Sequence, residues 1–506
     1  MPEHTLNNMT SSASRYLPRD GVLWLGVLLL LFAAAVRLIG LADFAVWTDE
    51  GFTVWVIEQR DLALSRVAED RHPPLYFVAL AYWQDLTGLS RLALRLPTAL
   101  SGVFAVALVY RIGLRLGGVV VATVAALLMI VTPSVVYYTQ EIRHFGWLLA
   151  AVCFSSWLFL QTLRKPTVVR FTAYALSVAA IMYVLYIGFF VILAQLVIAW
   201  FVWRGSLTKK AQFAGAWALA LGLFGPWLYV ILTQQFALIT VGIEGFGNVE
   251  EVTFSSLWRL MSDVLGHGLV LLLPLTALGL WAVFRRNGLD RVGWGYVIAW
   301  GLGAFVVMGL INPYFTLFRV RTVLMLVPGF ALLAGLGLAQ LPRWAAAPLI
   351  ALLIALTAYR EQPIQARGAM PLLAQAMAED FRPDDVVVVE TGWSDDEFIY
   401  EIRRELGWDI DIVRTLQWVD GRGEDKLVVL EIEDRLRAAE RIWVIHWNQP
   451  PSVVPWLQGD DQDYDEVRYT RHTVGPEVEA YQGGFFARVD GDYRLYLFVN
   501  NSPTGG

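Results

Sequence analysis

Residues 21–51 read GVLWLGVLLLLFAAAVRLIGLADFAVWTDEG, an apolar block that is soon followed by the adjacent carboxylates Asp49 and Glu50. A helix needs about 20 apolar residues to cross a bilayer, and residues 22–42 provide that length. Backbone groups in lipid must be bonded within their own segment, so this block is predicted to be a helix. The stretch therefore indicates an integral membrane protein with an ionisable pair close to its first spanning helix.

The composition of the whole chain agrees with a membrane protein. Of the 506 residues, 57% are hydrophobic and 17% are charged, whereas a soluble chain carries about 25% charged residues. The mean hydropathy is +0.51. A soluble enzyme is thereby excluded, and the net charge of −6 argues against a nucleic-acid partner. The single cysteine, Cys153, excludes an intrachain disulfide and a cysteine-based metal site.

Further apolar blocks follow the first, and the sequence predicts a polytopic α-helical membrane protein of about eleven transmembrane helices. The later blocks are residues 97–115, 119–133, 145–163, 170–185, 187–203, 213–232, 264–284, 292–311, 322–340 and 344–358. Loops with Lys or Arg fall on every second crossing, which the positive-inside rule assigns to the cytoplasm. The N-terminus is then expected inside and the C-terminus outside. Residues 50–67 and 74–86 are predicted to form juxtamembrane helices on the outer surface.

The chain changes character near residue 360. Residues 1–360 contain 25 Lys and Arg against 16 Asp and Glu, whereas the remainder contains 14 against 29. We predict a cytoplasmic tail (1–21), a membrane domain (22–360) with a catalytic outer loop (43–96), and an acidic extracytoplasmic α/β domain (361–506). Within the last domain, strands are expected at 385–389, 411–413, 442–446 and 493–499, and helices at 372–381, 396–406 and 433–440.

Asp49 and Glu50 are the first candidates for chemistry. A low-dielectric environment near the membrane surface can raise the pKa of a carboxylate and suit it to act as a general base. The alternative is that Asp49 caps a helix starting at Glu50, whose charge would lie at the positive end of that helix. The two roles are compatible, because a capping residue can also be catalytic.

Three outer segments carry cations. Arg71 and His72 stand just before two prolines that start a surface helix, where they could meet an anionic group or lipid headgroups. Glu141 and Arg143 precede a spanning block, so an ionisable pair there is a functional hypothesis, with an interfacial belt of Tyr and Arg as the alternative. The last outer turn is the third segment.

That last turn contains Tyr314, Arg319 and Arg321. Arginines on the outer side are an exception to the positive-inside rule, so a specific function is expected for them. We expect them to bind an anionic ligand such as a phosphate headgroup, because Arg recognises phosphate well.

The order of these segments resembles the GT-C glycosyltransferases. The nearest branch is the one with the protein O-mannosyltransferases and the lipid A aminoarabinose transferase. The resemblance rests on the Asp-Glu pair after the first helix, HPPLY at 72–76, RLPTALSG at 95–102 and QEIR at 140–143. It covers about residues 20–340, and the C-terminal region resembles no family that we can name.

The resemblance implies transfer of a sugar, with inversion, from a polyprenyl-phosphate-linked donor to an acceptor outside the cytoplasm. Asp49 would be the general base, and Glu50 would be its neighbour in the site. His72, Arg143 and Arg321 match family positions near the donor or its phosphate. The full set expected to bind the donor is Arg71, His72, Glu141, Arg143, Tyr314, Arg319 and Arg321. Phosphate is already a good leaving group, so cations suffice and no general acid is required.

The sequence departs from the aminoarabinose-transferase pattern at Arg71. That branch has an acidic residue just before its phosphate-contacting lysine, whereas here Arg71 precedes His72. We therefore predict no metal site and no cofactor, with a divalent metal as the alternative. The expected partners are the lipid-linked sugar, of hexosyl, mannosyl or pentosyl type, a glycan, lipid or protein acceptor, and the bilayer. The expected location is a prokaryotic plasma (inner) membrane.

Two other classes of protein are alternatives to a glycosyltransferase. A secondary transporter usually shows internal repeats and ionisable sites near the midplane, whereas this sequence shows no repeat and its notable charges cluster on one side. A non-catalytic glycan-assembly or glycan-binding membrane protein would have a degenerate site, whereas Asp49, His72 and Arg143 are all present. Loss of turnover with retained donor binding in Asp49→Asn would separate an enzyme from a binding protein.

Overall fold

The computed structural model describes residues 19–236, 253–314, 317–359, 370–390, 395–414, 429–446, 453–458, 464–474 and 491–500. The chain forms two compact units. The first comprises Met1–Ile39, Arg71–Ala79 and Arg95–Glu361. The second comprises Gly40–Asp70, Leu80–Leu94 and Gln362–Gly506. Most of the predicted tail and the predicted domain boundary at 360 lie outside the described residues.

Up to residue 359 the described chain is helical. The helices are α1 (Arg19–Leu38), α2 (Thr48–Glu58), α3 (Ala63–Ala68), α4 (Leu75–Thr87), α5 (Arg91–Gly117), α6 (Val119–Val131), α7 (Pro133–Tyr138), α8 (Phe145–Arg164), α9 (Val168–Val184), α10 (Phe189–Val202), α11 (Leu207–Val230), α12 (Phe254–Leu265), α13 (Leu269–Arg285), α14 (Arg291–Ile298), α15 (Ala304–Ile311), α16 (Val320–Val323), α17 (Val327–Leu338) and α18 (Arg343–Ala358). Four 3-10 turns occur at Arg60–Leu62, Tyr186–Gly188, Gly266–Gly268 and Leu324–Leu326. π-helical turns occur at Ile231–Gln235 and Ala299–Gly303.

Each apolar block predicted from the sequence is helical, which confirms the polytopic α-helical architecture. Seven helical stretches of the described chain are long and apolar enough to cross a membrane, and they are Asp20–Leu38, Arg91–Gly117, Phe145–Arg164, Leu207–Gln235, Phe254–Arg285, Arg291–Ile311 and Val320–Leu338. The shorter apolar helices are Val119–Val131, Val168–Val184, Tyr186–Val202 and Arg343–Ala358. Residues predicted to form two juxtamembrane helices are also helical, as α2 with α3 and as α4, and their position at the outer surface stays a prediction.

Glycines allow α13 and α17 to pack backbone to backbone. A Cβ atom added to Gly337 would lie 1.9 Å from the carbonyl oxygen of Leu275, and one added to Gly279 would lie 2.1 Å from that of Leu333. Neither contact is sterically tolerable. Small residues at a helix interface are the usual means of close packing in lipid, because the hydrophobic effect does not drive helices together there.

A buried polar network joins α8, α9, α10 and α14. The Gln195 side chain accepts a hydrogen bond from the Tyr174 hydroxyl at 2.9 Å and donates one to the Tyr296 hydroxyl at 3.2 Å. Tyr296 also shares a 2.6 Å hydrogen bond with Ser156, and Ser155 donates to Gln195 at 3.5 Å. Each polar group in this apolar surrounding thus has a partner, as burial away from water requires.

The second unit contains a mixed sheet. Its C-terminal elements are α19 (Met370–Ala378), β1 (Val386–Glu390), α20 (Asp395–Leu406), β2 (Asp411–Arg414), α21 (Val429–Ala438), β3 (Arg441–His446), α22 (Val453–Leu457), β4 (Tyr464–Val474) and β5 (Gly491–Asn500). The strand order is β2-β1-β3-β5-β4. The pairs β2–β1 and β1–β3 are parallel, and the pairs β3–β5 and β5–β4 are antiparallel.

The sheet is covered by helices on both faces, which confirms the predicted α/β class. Val387 and Val389 of β1 pack in one buried cluster with residues of α19 and α20, whereas Val386 and Val388 pack in another with residues of α21 and α22. Side chains of a strand alternate between faces, so a run of valines serves both cores. Strand β4 was not predicted, because its run YDEVRYTRHTV is mostly polar.

Candidate functional site

Four basic side chains of the first unit lie together, and we call them the His–Arg cluster: His72, Arg143, His144 and Arg321. The Arg143 Nη2 atom lies 3.3 Å from Nε2 of His72, and the rings of His72 and His144 have centroids 5.0 Å apart. The Arg321 guanidinium carbon lies 5.8 Å from the centroid of the Phe145 ring, whose centroid lies 4.5 Å from that of His144. The cluster joins three segments that are distant in sequence.

His72 is held through its backbone by a chain of hydrogen bonds. The Gln235 side-chain amide donates to the His72 carbonyl oxygen at 3.3 Å. Gln235 in turn accepts from the Tyr186 hydroxyl at 2.7 Å, and the Trp227 indole donates to that hydroxyl at 2.7 Å. Gln235 is fully buried and ends the π-helical turn Ile231–Gln235. Such turns are rare and frequently occur at functional sites.

The segment that carries Arg143 and His144 is anchored to α1. The fully buried Arg37 donates from Nε to the Thr139 hydroxyl at 3.1 Å and from Nη2 to the Met129 carbonyl oxygen at 2.9 Å. The Gln140 side chain donates to the carbonyl oxygen of Arg37 at 3.1 Å. The bonds to Thr139 and Gln140 restrain the chain four and three residues before Arg143.

Gly102 makes room for this anchor. A Cβ atom at Gly102 would lie 2.6 Å from Arg37 Nε and 2.8 Å from Thr139 Cβ. Thr98, which like Gly102 belongs to α5, lies against the start of α8. A Cβ atom added there to Gly146 would lie 2.7 Å from the methyl carbon of Thr98. The RLPTALSG sequence at 95–102 therefore packs against the segment that carries the cluster, which is a structural role.

His144 is the member of the cluster that was not among the predicted site residues. Only 1% of its surface is exposed. Burial, followed by the nearby His72, Arg143 and Arg321, lowers the pKa of His144 well below its usual 6.5. Neither of its ring nitrogens has a hydrogen-bond partner within the described part of the chain. A buried, neutral imidazole can donate one N–H to a ligand.

The signal for His144 was available in the sequence. It directly follows Arg143 and directly precedes the apolar helix α8. A histidine at such a junction is also a common interfacial residue, and the pattern alone does not show that it faces His72.

The other predicted donor-binding residues of the first unit lie in different settings. Glu141 is fully buried, two residues before Arg143. Arg71 is exposed, and Tyr314 is 72% exposed. Arg319 is half-buried at the start of α16, where its backbone N–H donates to the Thr322 hydroxyl at 3.2 Å. The structure thus brings His72, Arg143 and Arg321 of the predicted set together around His144.

Asp49 and Glu50 belong to the second unit. Helix α2 begins at Thr48 with Trp47 as its extended N-cap, so the alternative in which Asp49 caps a helix starting at Glu50 is wrong. Glu50 is fully buried, and its carboxylate accepts the Trp47 backbone N–H at 3.4 Å. Asp49 is half-buried in the first turn, and its carbonyl oxygen accepts from the Thr53 hydroxyl at 3.1 Å.

The described residues contain no group of three or more His, Cys, Asp or Glu side chains arranged to hold a metal ion. Metal independence stays a prediction, because it concerns activity.

Comparisons with known proteins show similarity to membrane glycosyltransferases. The model of the family described as dolichyl-phosphate-mannose-protein mannosyltransferase matches residues 71–230, which include His72, Arg143 and His144. ArnT from Cupriavidus metallidurans, in a crystal structure with undecaprenyl phosphate bound, is similar at a TM-score of 0.63 and 14% identity. That similarity covers 95% of this chain and 99% of ArnT. No curated protein sequence matches this chain significantly.

Two further solved structures have a similar fold. The Archaeoglobus fulgidus oligosaccharyltransferase, in its apo form, has a TM-score of 0.51 and 11% identity, over 76% of this chain and 64% of that one. The arabinofuranosyltransferase AftD from Mycobacteria has a TM-score of 0.50 and 13% identity, over 96% of this chain and 42% of that one. The fold of this multi-pass membrane protein is thus similar to that of the GT-C glycosyltransferases. Within that superfamily the chain resembles the branch of the protein O-mannosyltransferases and ArnT.

Proposed function

We propose that this protein transfers a sugar, with inversion, from a polyprenyl-phosphate-linked donor to a hydroxyl group of an extracytoplasmic acceptor. The observation that carries the proposal is the His–Arg cluster. Arg143 and His144 are buried, and charge-assisted hydrogen bonds to phosphate are strongest where water is excluded. The ArnT structure with undecaprenyl phosphate supports this class of donor.

In the proposed reaction Asp49 is the general base. Its carboxylate takes the proton of the acceptor hydroxyl, and the acceptor oxygen forms a bond to the anomeric carbon. The bond between that carbon and the phosphate oxygen breaks, and polyprenyl phosphate leaves with the electron pair. Attack opposite to the leaving group inverts the anomeric configuration. Glu50, one residue away, keeps the first turn of α2 closed through the Trp47 N–H.

The cluster would hold the leaving phosphate. Arg143 and Arg321 supply permanent positive charge, and neutral His144 supplies an uncharged N–H donor. His72, in contact with Arg143, restrains the guanidinium that receives the phosphate. Developing negative charge on the leaving group is then met by fixed donors, which is the usual means of lowering such a barrier.

The remaining assignments follow from the same proposal. The donor sugar is of hexosyl, mannosyl or pentosyl type, and the acceptor is a protein, lipid or cell-wall glycan. The protein resides in the plasma (inner) membrane with its N-terminus in the cytoplasm. Residues 43–96 and 361–506 lie on the extracytoplasmic side, and the reaction needs no cofactor.

The test uses the detergent-purified full chain, membrane extract as the acceptor source, and a panel of radiolabelled polyprenyl-phosphate sugars. Release of free polyprenyl phosphate is followed for the wild type, for Asp49→Asn and for Asp43→Asn. Asp43 is an exposed carboxylate six residues earlier in the same loop and is the matched control. Asp49→Asn should lower turnover by about 100- to 10,000-fold, as expected for loss of a general base. It should also retain donor binding, and Asp43→Asn should match the wild type.

Two results would count against the proposal. Near-wild-type turnover in Asp49→Asn would remove Asp49 from its role as the base. Absence of release from every donor, with bound donor present, would favour a non-catalytic binding protein. A chelator added to the wild-type reaction should leave turnover unchanged if no metal takes part.

A further inference from the structure

The C-terminal region is in direct contact with the segment that carries Asp49. Within the second unit, helix α20 packs against helix α2. The two helices are more than 300 residues apart in sequence, so nothing local explains their association. The contact raises the question of what the C-terminal region contributes to the proposed reaction.

Glu401 of α20 is the centre of this contact. Its side chain is fully buried, and one carboxylate oxygen accepts the backbone N–H of Val46 at 2.9 Å. The guanidinium of Arg91 binds both carboxylate oxygens, with its Nε 3.2 Å from Oε1 and its Nη2 on Oε2. Arg404 donates to Oε2 at 3.0 Å. A buried carboxylate with this many donors is held in a single position.

The residue that Glu401 binds through its backbone lies just before the candidate base. Val46 directly precedes Trp47, the N-cap of α2, and stands three residues before Asp49. Arg91 extends the same anchor, because its Nη1 also donates to the carbonyl oxygen of Ala42 at 3.4 Å. The chain that enters α2 is thus bound at two backbone positions.

Helix α20 also binds the other end of α2. Arg403 donates to Glu58, the last residue of α2, at 2.9 Å. The Tyr400 hydroxyl donates to the carbonyl oxygen of Leu89 at 2.8 Å, two residues before Arg91. Three side chains on one helix therefore fix both ends of α2 and the segment around Arg91.

We propose that Glu401 is a positioning residue of the transferase, and that the C-terminal region serves to hold Asp49 in its productive position. The inference rests on the proposed role of Asp49 as the base. A reacting group must be held to within a fraction of an ångström, and a displacement of 1 Å can cost about 100-fold in rate. Glu401 acts through Val46 and Arg91, without contacting substrate.

A purely structural role predicts a different result, and Asp385 provides the comparison. Asp385 is also a fully buried carboxylate of the second unit, bound by Arg441 at 2.7 Å and by the Trp443 indole at 2.8 Å. Its partners are Arg441 and Trp443 of β3 and the backbone N–H of Arg382, and they do not include residues 42–58. Asp385→Ala and Glu401→Ala therefore remove equivalent groups, and only the second releases the start of α2.

The experiment measures kcat and donor KM in the full-length protein for Glu401→Ala, Glu401→Gln and Asp385→Ala, together with the thermal unfolding midpoint of each. Glu401→Ala should lower kcat by about 10- to 100-fold and change donor KM less than twofold. Glu401→Gln should lower kcat less than Glu401→Ala does, because its amide oxygen still accepts the Val46 N–H. Asp385→Ala should lower the unfolding midpoint while its folded fraction keeps the wild-type kcat.

The effect on kcat of combining substitutions at Arg91 and Glu401, the two residues of the anchor, provides a second test. If Arg91 acts through Glu401, Arg91→Ala combined with Glu401→Ala should lower kcat no more than the larger single change. Wild-type kcat in folded Glu401→Ala would overturn the inference, as would an equal loss of kcat in Asp385→Ala. If Glu401→Ala fails to fold, Glu401→Gln provides the test instead. In that variant, wild-type kcat together with unchanged proteolytic cleavage within residues 42–58 would also overturn the inference. These outcomes are separate from those of Asp49→Asn, which test the base itself.

Discussion

Arg143 and His72 are 71 positions apart in sequence, and their side chains are in contact, with Nη2 of the arginine 3.3 Å from Nε2 of the histidine. A guanidinium has no acceptor, so the imidazole nitrogen accepts in this contact. The contact orients the guanidinium before any ligand binds. It therefore links a residue just before α4 to one just before α8 in a single basic cluster.

Replacing Arg143 by Gln should weaken the binding of polyprenyl phosphate. A hydrogen bond to a charged group contributes about 1.5–3 kcal/mol, so the dissociation constant should rise by roughly 10- to 150-fold. Equilibrium binding of the lipid phosphate to the purified protein measures this. Arg286→Gln is the control, because Arg286 is exposed and donates to the Gln340 side chain at a distant helix end. Equal affinities in the two variants would remove Arg143 from the donor site.

The lowered pKa of His144 predicts a loss of stability in acid. The folded protein binds a proton at His144 less readily than the unfolded chain, whose histidine has a pKa of 6.5. Below that pH the unfolded state holds more protons, so the free energy of unfolding decreases as the pH falls. Its slope should reach about 1.4 kcal/mol per pH unit once the unfolded histidine is protonated and the folded one is not.

The thermal unfolding midpoint in detergent, recorded between pH 7.5 and 5, measures this dependence. His144→Phe should flatten it, because the titrating group is gone and the aromatic packing is retained. His267→Phe is the control at an exposed histidine and should keep the wild-type dependence. Identical curves for wild type and His144→Phe would show that other groups cause the acid sensitivity.

Arg37 should support the cluster through the segment that it anchors. Arg37→Leu removes the hydrogen bonds to Thr139 and Met129 and leaves buried acceptors without donors, at a cost of about 1–3 kcal/mol for each. We expect a lower unfolding midpoint and weaker binding of polyprenyl phosphate. Thr139→Val removes only the hydroxyl and should have a smaller effect in the same direction. Unchanged affinity for polyprenyl phosphate in a destabilised Arg37→Leu would show that this anchor does not affect donor binding by the His–Arg cluster.

The network around Gln195 should contribute to stability alone. Gln195→Leu removes its bonds to Tyr174 and Tyr296 while keeping a side chain of similar size. Interhelical hydrogen bonds in membranes contribute about 0.6 kcal/mol each, with a maximum near 1.7, so about 1–2 kcal/mol should be lost. Tyr296→Phe removes two bonds of the same network, to Gln195 and to Ser156, and should lose a similar amount. The kcat of the folded variants should equal that of the wild type, and a lowered kcat would place this network in the catalytic machinery.

The local sequence pattern was sufficient to predict most of the helices and strands. Apolar blocks of spanning length became helices, since backbone groups in lipid have no other partner than their own segment. The valine run at 386–389 became the interior strand β1 with both faces buried. The polar strand β4 was missed, because a strand at the edge of a sheet needs few apolar residues and leaves little periodic signal.

The sequence by itself determined the multi-pass membrane character, the helical segments, the α/β character of the C-terminal region and the order of the motifs with Asp49, His72 and Arg143. Only the tertiary structure decided that His144 joins the His–Arg cluster and that Glu401 binds the segment before Asp49. The reason is physical. Helix and strand formation depend on neighbours within a few positions, which the sequence displays directly. The bond between Arg91 and Glu401 joins residues 310 positions apart, and it exists only because two distant helices pack together.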